Sequence, residues 1–240
     1  MKKCNIFCFF SLVIMVCGSL IFGGETLYFD KYFENFDNYN KNNFPIKEQD
    51  GNILWFTNSP CTKITDEEKV SPPNSLKIDC IDKSCRLSMN LGRIRREKIV
   101  VEFDFMIKNI NPKSFFYFTI LGDGPTEGKN WSDASVRIEF SNGYLKAIEK
   151  NWKSKVIKEL KENLWYHIKI EIPSIISETN KYDIFLANDE YKNIEFLCPS
   201  PDLKAHTELG FRIDFCILFI DNFKIYKPEI PTLDKEIISF

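Results

Sequence analysis

The chain has 240 residues and a formal charge of −2, from 32 basic against 34 acidic side chains. That balance gives no electrostatic case for nucleic acid or for an anionic membrane surface. Aromatic residues make up 15% of the chain, 22 of them Phe, which is ample for one large core.

Lys2 and Lys3 precede an apolar run from Cys4 to Phe22 that closes on Gly23-Gly24. A short positive segment, an apolar stretch and small residues form the pattern of an export signal. The run is about as long as a minimal membrane span, so an uncleaved anchor is one reading. Cleavage near Gly18 or Gly23 is a second. Lipidation of Cys17 is a third, although Ile14-Met15-Val16 fit poorly with the small residue such processing prefers. All three put residues from about 25 onward on the outer side, because Lys2 and Lys3 stay inside. The expected protein is secreted, periplasmic or on the cell surface, and meets a membrane only through this segment or a lipid on Cys17. The expected organisation is a signal or anchor over 1–24, one domain over 25–228 and an extended tail over 229–240.

Past the leader, alternation of period two recurs from end to end. Leu76, Ile78 and Cys80 share one face of a strand, and Cys85, Leu87, Met89 and Leu91 share one face of the next. The turn between them, Ile81-Asp82-Lys83-Ser84, would bring Cys80 and Cys85 to cross-strand distance. They are the best disulfide pair among Cys61, Cys80, Cys85, Cys198 and Cys216, with two free buried thiols as the alternative. A zinc site is not expected, since the spacings are wrong and there are only 2 histidines.

Further along, Ile99, Val101, Phe103, Phe105 and Ile107 oppose Val100, Glu102, Asp104 and Met106. Val136, Ile138 and Phe140 alternate with Arg137 and Glu139. Asn142-Gly143 then reads as a tight hairpin turn. Lys155–Asn163 reads as a strand, with a short helix as its competitor. Tyr166, Ile168 and Ile170 oppose His167 and Lys169, and Phe211, Ile213 and Phe215 oppose Arg212 and Asp214. One apolar face and one mixed face per strand predicts an all-β, two-sheet antiparallel sandwich.

A set of segments in this order carries a resemblance. They are Glu34-Asn35-Phe36-Asp37, Trp55, Ser71-Pro72-Pro73-Asn74-Ser75-Leu76, Val101-Glu102-Phe103-Asp104-Phe105, Asn163-Leu164-Trp165-Tyr166-His167, Tyr182-Asp183-Ile184-Phe185-Leu186 and Phe219-Ile220-Asp221-Asn222-Phe223. The chain resembles the jelly-roll sandwiches of the concanavalin A-like (laminin G-like) group. That resemblance implies extracellular carbohydrate-binding modules, lectins, glycosidases and polysaccharide lyases, and fixes no single activity. It also implies that the first and last strands lie side by side. Glu34, Asp37 and Asp221 could then hold a structural Ca²⁺ ion; otherwise Asp221-Asn222 marks a β-bulge.

Glu102-Phe103-Asp104 resembles the carboxylate strand of retaining endo-glucanases, but Met106 or Ile107 stands where the proton donor belongs. Arg137-Ile138-Glu139 resembles part of an alginate-lyase strand, with Ser141 in place of the second arginine. His167 and Lys169 could share a face with Arg137 and Glu139, either to grip an acidic sugar or as a cross-strand ion-pair surface. Trp131 and Trp152 sit in polar stretches, where an aromatic ring can stack on a pyranose, whereas Trp55 and Trp165 open strands. Lys150, Asn151 and Lys153 around Trp152 favour an acidic glycan. The sequence therefore predicts a non-catalytic carbohydrate-binding module with no catalytic residues, binding through Trp131, Trp152, Arg137 and His167. The competing readings are a glycosidase or polysaccharide lyase of the same fold, and a protein-protein adhesion or envelope-scaffold domain.

Overall fold

The computed structural model describes residues 31–34, 36–37, 48–49, 52–53, 55–57, 60–124, 131–177, 179–199 and 202–228. The leader with Cys17, the stretch 125–130 and the tail from 229 lie outside them. In chain order the early strands are β1 (Lys31–Glu34), β2 (Glu48–Gln49), β3 (Asn52–Ile53), β4 (Trp55–Thr57), β5 (Thr62–Thr65) and β6 (Ser75–Asp79). Long strands follow: β7 (Ser84–Ile94), β8 (Ile99–Lys108), β9 (Phe115–Gly122), β10 (Ala134–Ser141), β11 (Tyr144–Glu149) and β12 (Lys153–Glu159). The last five are β13 (Trp165–Ile172), β14 (Lys181–Leu186), β15 (Asp189–Glu195), β16 (His206–Asp214) and β17 (Ile217–Tyr226).

Two antiparallel sheets form a jelly-roll sandwich. One runs β15-β14-β13-β8-β17-β6-β5, with β1 also paired to β17. The other runs β12-β11-β10-β9-β16-β7-β4. Among the described residues the only helical pieces are single 3-10 turns at Trp131–Asp133 and Lys150–Trp152. No described helix is long and apolar enough to cross a membrane.

Alternation places the core. Ile99, Val101, Phe103, Phe105 and Ile107 of β8 are all buried in it. Phe103 joins the sheets, with ring centroids 5.5 Å from Phe118 and 5.5 Å from Phe211. Burying rings of this size supplies most of the drive for the sandwich, at about 25 cal/mol per Å² of apolar surface. The turn at Asn142-Gly143 has φ of 54° and 81°, the left-handed pair that matches strand twist in a two-residue hairpin. The stretch around Lys155 forms the edge strand β12 and not a helix.

β1 does lie beside β17, and the register shifts between Asp221 and Lys224 while Asn222 takes φ of 49°. That is a β-bulge.

The cysteine pair is corrected. β6 belongs to the eight-stranded sheet and β7 to the seven-stranded one, so the turn after Cys80 crosses between sheets and closes no hairpin. Cys61, Cys80, Cys85, Cys198 and Cys216 are all buried, and the structure links none of them in a disulfide. Cys80 and Cys85 do both point into the core, as the alternation predicts. A hydrogen bond with the Cys85 thiol, reinforced by burial, holds the Cys80 thiol far above the usual range.

Candidate functional site

The outer face of the seven-stranded sheet carries the polar half of each alternation. Arg137 of β10 projects opposite Val136 and Ile138, Tyr117 of β9 opposite Phe116 and Phe118, and Arg212 of β16 opposite Phe211 and Ile213. Arg137 Nε donates to Glu139 Oε1 at 2.6 Å. Arg86 pairs with Glu208, and Arg212 Nε donates to Asp214 at 3.1 Å. Each of these three arginines is thus matched by a carboxylate. Tyr117 lies among the three guanidinium groups. Burial pushes its phenol up to about 12, while Arg137, Arg212 and Arg86 act in the opposite direction. It is 2% exposed, so it is a neutral hydroxyl out of reach of a large substrate.

Arg137 has a second function. Its guanidinium carbon lies 4.4 Å from the Tyr117 ring centroid and 5.2 Å from that of Trp152. The planar cation is layered between the two rings. Trp152 ends the turn between β11 and β12, where Asn151 and Trp152 take φ of 61° and 60° in succession. A left-handed conformation in a bulky residue costs about 1–2 kcal/mol, so contacts elsewhere hold it. The conformation leaves Trp152 55% exposed. The ring stands at a cleft of about 280 Å³ that Ser132, Lys150, Asn151, Pro199 and Asp202 help to line. An aromatic face backed by a cation and rimmed by hydroxyl, amide and carboxylate groups suits a ring with apolar C–H patches and polar edges.

The structure therefore brings Arg137 and Trp152 together and keeps His167 away from both. β10 and β13 belong to opposite sheets, and both side chains point outward, so the core separates them. No face carries Arg137, Glu139, His167 and Lys169, which corrects the sequence expectation. Instead His167 Nδ1 lies 2.9 Å from Asp104 Oδ1, and that hydrogen bond raises the imidazole above its ordinary value. Lys169 pairs with Glu171. Asp104 also accepts from Asn222 Nδ2 at 2.8 Å, and Glu102 accepts from the Tyr226 hydroxyl at 2.5 Å. Neither carboxylate of the glucanase-like strand is left open to a glycosidic oxygen.

Trp131 lies in a 3-10 turn, and its side chain is outside the described residues. Glu34 Oε1 accepts the Phe36 N–H at 3.0 Å, and Asp37 Oδ1 accepts that of Asn74 at 3.3 Å. Asp221 is fully buried. Burial raises its carboxyl, against N–H donors from Val70, Ser71 and Asn222 and the Ser71 hydroxyl. It ties the 70–71 loop to β17. Among the described residues no three His, Cys, Asp or Glu side chains converge as metal ligands do.

Sequence reasoning missed Tyr117, Arg86, Glu208 and Asp202. Tyr117 lies in the run Phe115-Phe116-Tyr117-Phe118, where every residue is aromatic and alternation cannot separate inside from outside. Asp202 reaches the site only through the way the chain folds back across the end of the sandwich.

No protein-family model matches the chain, and no curated protein matches it. Solved structures do. Alginate lyase Aly36B superposes with a TM-score of 0.60 at 9% identity, over 84% of this chain and 98% of that one. The endo-β-1,4-glucuronan lyase from the fungus Trichoderma reesei gives 0.52 at 12%, over 85% and 96%. A sialidase gives 0.54 at 12%, over 73% of this chain, which spans 17% of the sialidase. At these identities the likeness shows the jelly-roll sandwich fold.

Proposed function

We propose that this chain is an exported, non-catalytic carbohydrate-binding module whose ligand stacks on Trp152. The observation that carries this reading is the Trp152 ring, 55% exposed in a left-handed turn and layered on Arg137 at the mouth of a polar cleft. Solved structures of similar fold that are described as alginate lyase, glucuronan lyase and sialidase support a carbohydrate ligand. Lys150 at the cleft favours an acidic glycan. A glycan-array screen of the protein tests the reading: retention of acidic glycans that Trp152→Ala abolishes is expected, and retention of none points to a protein-protein adhesion domain.

One observation favours a lyase as the second reading. Tyr117 among Arg137, Arg212 and Arg86 places a proton-transfer group beside three guanidinium groups. It is 2% exposed beneath Arg137, so substrate reaches it only if Arg137 swings away. Assaying unsaturated products on a polysaccharide panel separates the two readings. Turnover lost in Tyr117→Phe would establish the lyase.

A further inference from the structure

A second cleft, of about 240 Å³, opens beside the first, with Thr179, Asn180, Lys181 and Glu195 in its wall. Both clefts share Lys150 and Pro199. The segment 195–199 runs beneath both. Phe196 N donates to Asn180 O at 2.9 Å, Leu197 N to Ser135 O at 3.0 Å and Cys198 N to Ala134 O at 2.8 Å. Asn180 leads into β14 of one sheet, and Ala134 and Ser135 belong to β10 of the other. The two clefts therefore run across the end of the sandwich, over the segment that stitches its sheets together.

Ordinary ligand pockets hold roughly 300–1,000 Å³. Each cleft falls short of that range, and the two together lie within it. Together they carry two ammonium groups, Lys150 and Lys181, and two carboxylates, Asp202 and Glu195, with Glu195 directly across the β14–β15 ladder from Lys181. Lys150 stands between them and Lys181 stands in the second, and neither makes an ion pair among the described residues. Arg86, Arg137 and Arg212 of the neighbouring sheet face are already matched by carboxylates. Asp202 in the first cleft and Glu195 in the second supply acceptors for hydroxyl groups.

We infer that the two clefts are consecutive subsites for an acidic oligosaccharide, with one pyranose stacked on Trp152 and the carboxylate of the next sugar held between Lys150 and Lys181. This rests on the carbohydrate-binding reading and adds the second subsite, the minimum ligand length and the residue that selects for charge. Two ammonium groups on one carboxylate give charge-assisted hydrogen bonds, which are among the strongest single contacts at a partly enclosed site.

The test is calorimetric titration of the full chain with uronate mono-, di- and trisaccharides and with their carboxyl-reduced counterparts. The uronate disaccharide is expected to bind on the order of tenfold or more tighter than the monosaccharide, with little further gain for the trisaccharide. Carboxyl reduction is expected to remove that gain. So is Lys181→Gln, an exposed substitution. Equal affinity for one and two sugars, or an unchanged disaccharide affinity in Lys181→Gln, overturns the second subsite. Tighter binding of the neutral counterparts, still lost in Trp152→Ala, overturns the acidic assignment alone. Binding that survives Trp152→Ala, or no binding by any of these sugars, overturns the stacking reading beneath it.

Discussion

Arg137 and Trp152 hold one another in position: the guanidinium carbon lies 5.2 Å from the ring centroid, and Glu139 fixes the guanidinium from its edge. The strand supplies a rigid cation, and the turn supplies the strained backbone that lays a ring over it. One face of Trp152 is occupied by protein and the other is open. Trp152→Ala should leave the melting temperature within a few degrees of wild type, since an exposed side chain contributes little to the core. It should weaken a bound glycan by about 1–3 kcal/mol, as loss of an interface anchor does. Paired melts and binding isotherms check both, and an unfolded Trp152→Ala protein would assign the ring to the fold.

Arg137 acts on the ligand through Trp152. Arg137→Ala leaves the Glu139 carboxylate, 17% exposed, without this partner. A cost of about 1–3 kcal/mol in stability is expected from the lost charged hydrogen bond. Arg137→Lys keeps the charge but not the planar stack. It should restore most of the stability and little of the glycan affinity. Trp152 fluorescence reports the ring: a changed emission maximum in Arg137→Lys is expected, and an unchanged one with full affinity argues against the layered arrangement.

The two histidines should act on stability with opposite signs. His206 is fully buried, with Nδ1 3.0 Å from Ser135 Oγ, and burial pushes its imidazole from 6.5 down to about 4. The unfolded chain takes up this proton below about pH 6.5 and the folded one only near pH 4, so stability falls as pH drops through that window. The full effect is about 3 kcal/mol. His167 is raised by Asp104. Its contribution is complete below the unfolded value of 6.5 and is lost as pH rises through the folded one. Urea unfolding at pH 5 and pH 8 should show His206→Asn flattening the acid loss and His167→Gln costing more at pH 5. A His206→Asn protein that loses stability at pH 5 as steeply as wild type would rule out that origin.

The thiols should be reduced and mostly inert in the native protein. Burial raises Cys198 to about 11 and Cys216 to about 12, and Cys80 is held higher still. Cys61 lies against the exposed Lys83 ammonium. Alkylation followed by peptide mass mapping should label these buried thiols only after denaturation. A non-reducible-label pattern that leaves Cys80 and Cys85 linked would restore the disulfide that the sequence suggested.

Asp221 should be worth more than a surface acid. Asp221→Ala removes the acceptor of three backbone N–H groups and one hydroxyl. Leaving buried donors unmet costs about 1–3 kcal/mol. Thermal melts read the loss, and repeating them across a calcium titration reads the ion that Glu34, Asp37 and Asp221 were expected to hold. A calcium-dependent rise in wild type that Asp221→Ala lacks would assign it; no rise leaves Asp221 as a loop tether.

By itself the sequence determined the strands and their faces. In β8, β10, β13 and β16 the period of two decided which side chains enter the core, because successive residues of an extended chain must point to opposite sides; just past β16 it fails, since Phe215 takes φ of 56° and turns outward while Cys216 enters the core. Asn142-Gly143 likewise fixed its own hairpin through left-handed backbone that few other pairs adopt. Only the tertiary structure decided which strands share a sheet. Pairing is made between strands far apart in sequence, and alternation is the same whichever sheet a strand joins. For that reason Cys80 and Cys85 face each other across the core and not along a ladder, and Arg137 and His167 point outward on opposite sides. The same reason hid the site: Arg137 could be seen as outward and Trp152 as polar in its surroundings, but their contact, and the cleft beside it, exist only where the β11–β12 turn meets the chain returning from β15.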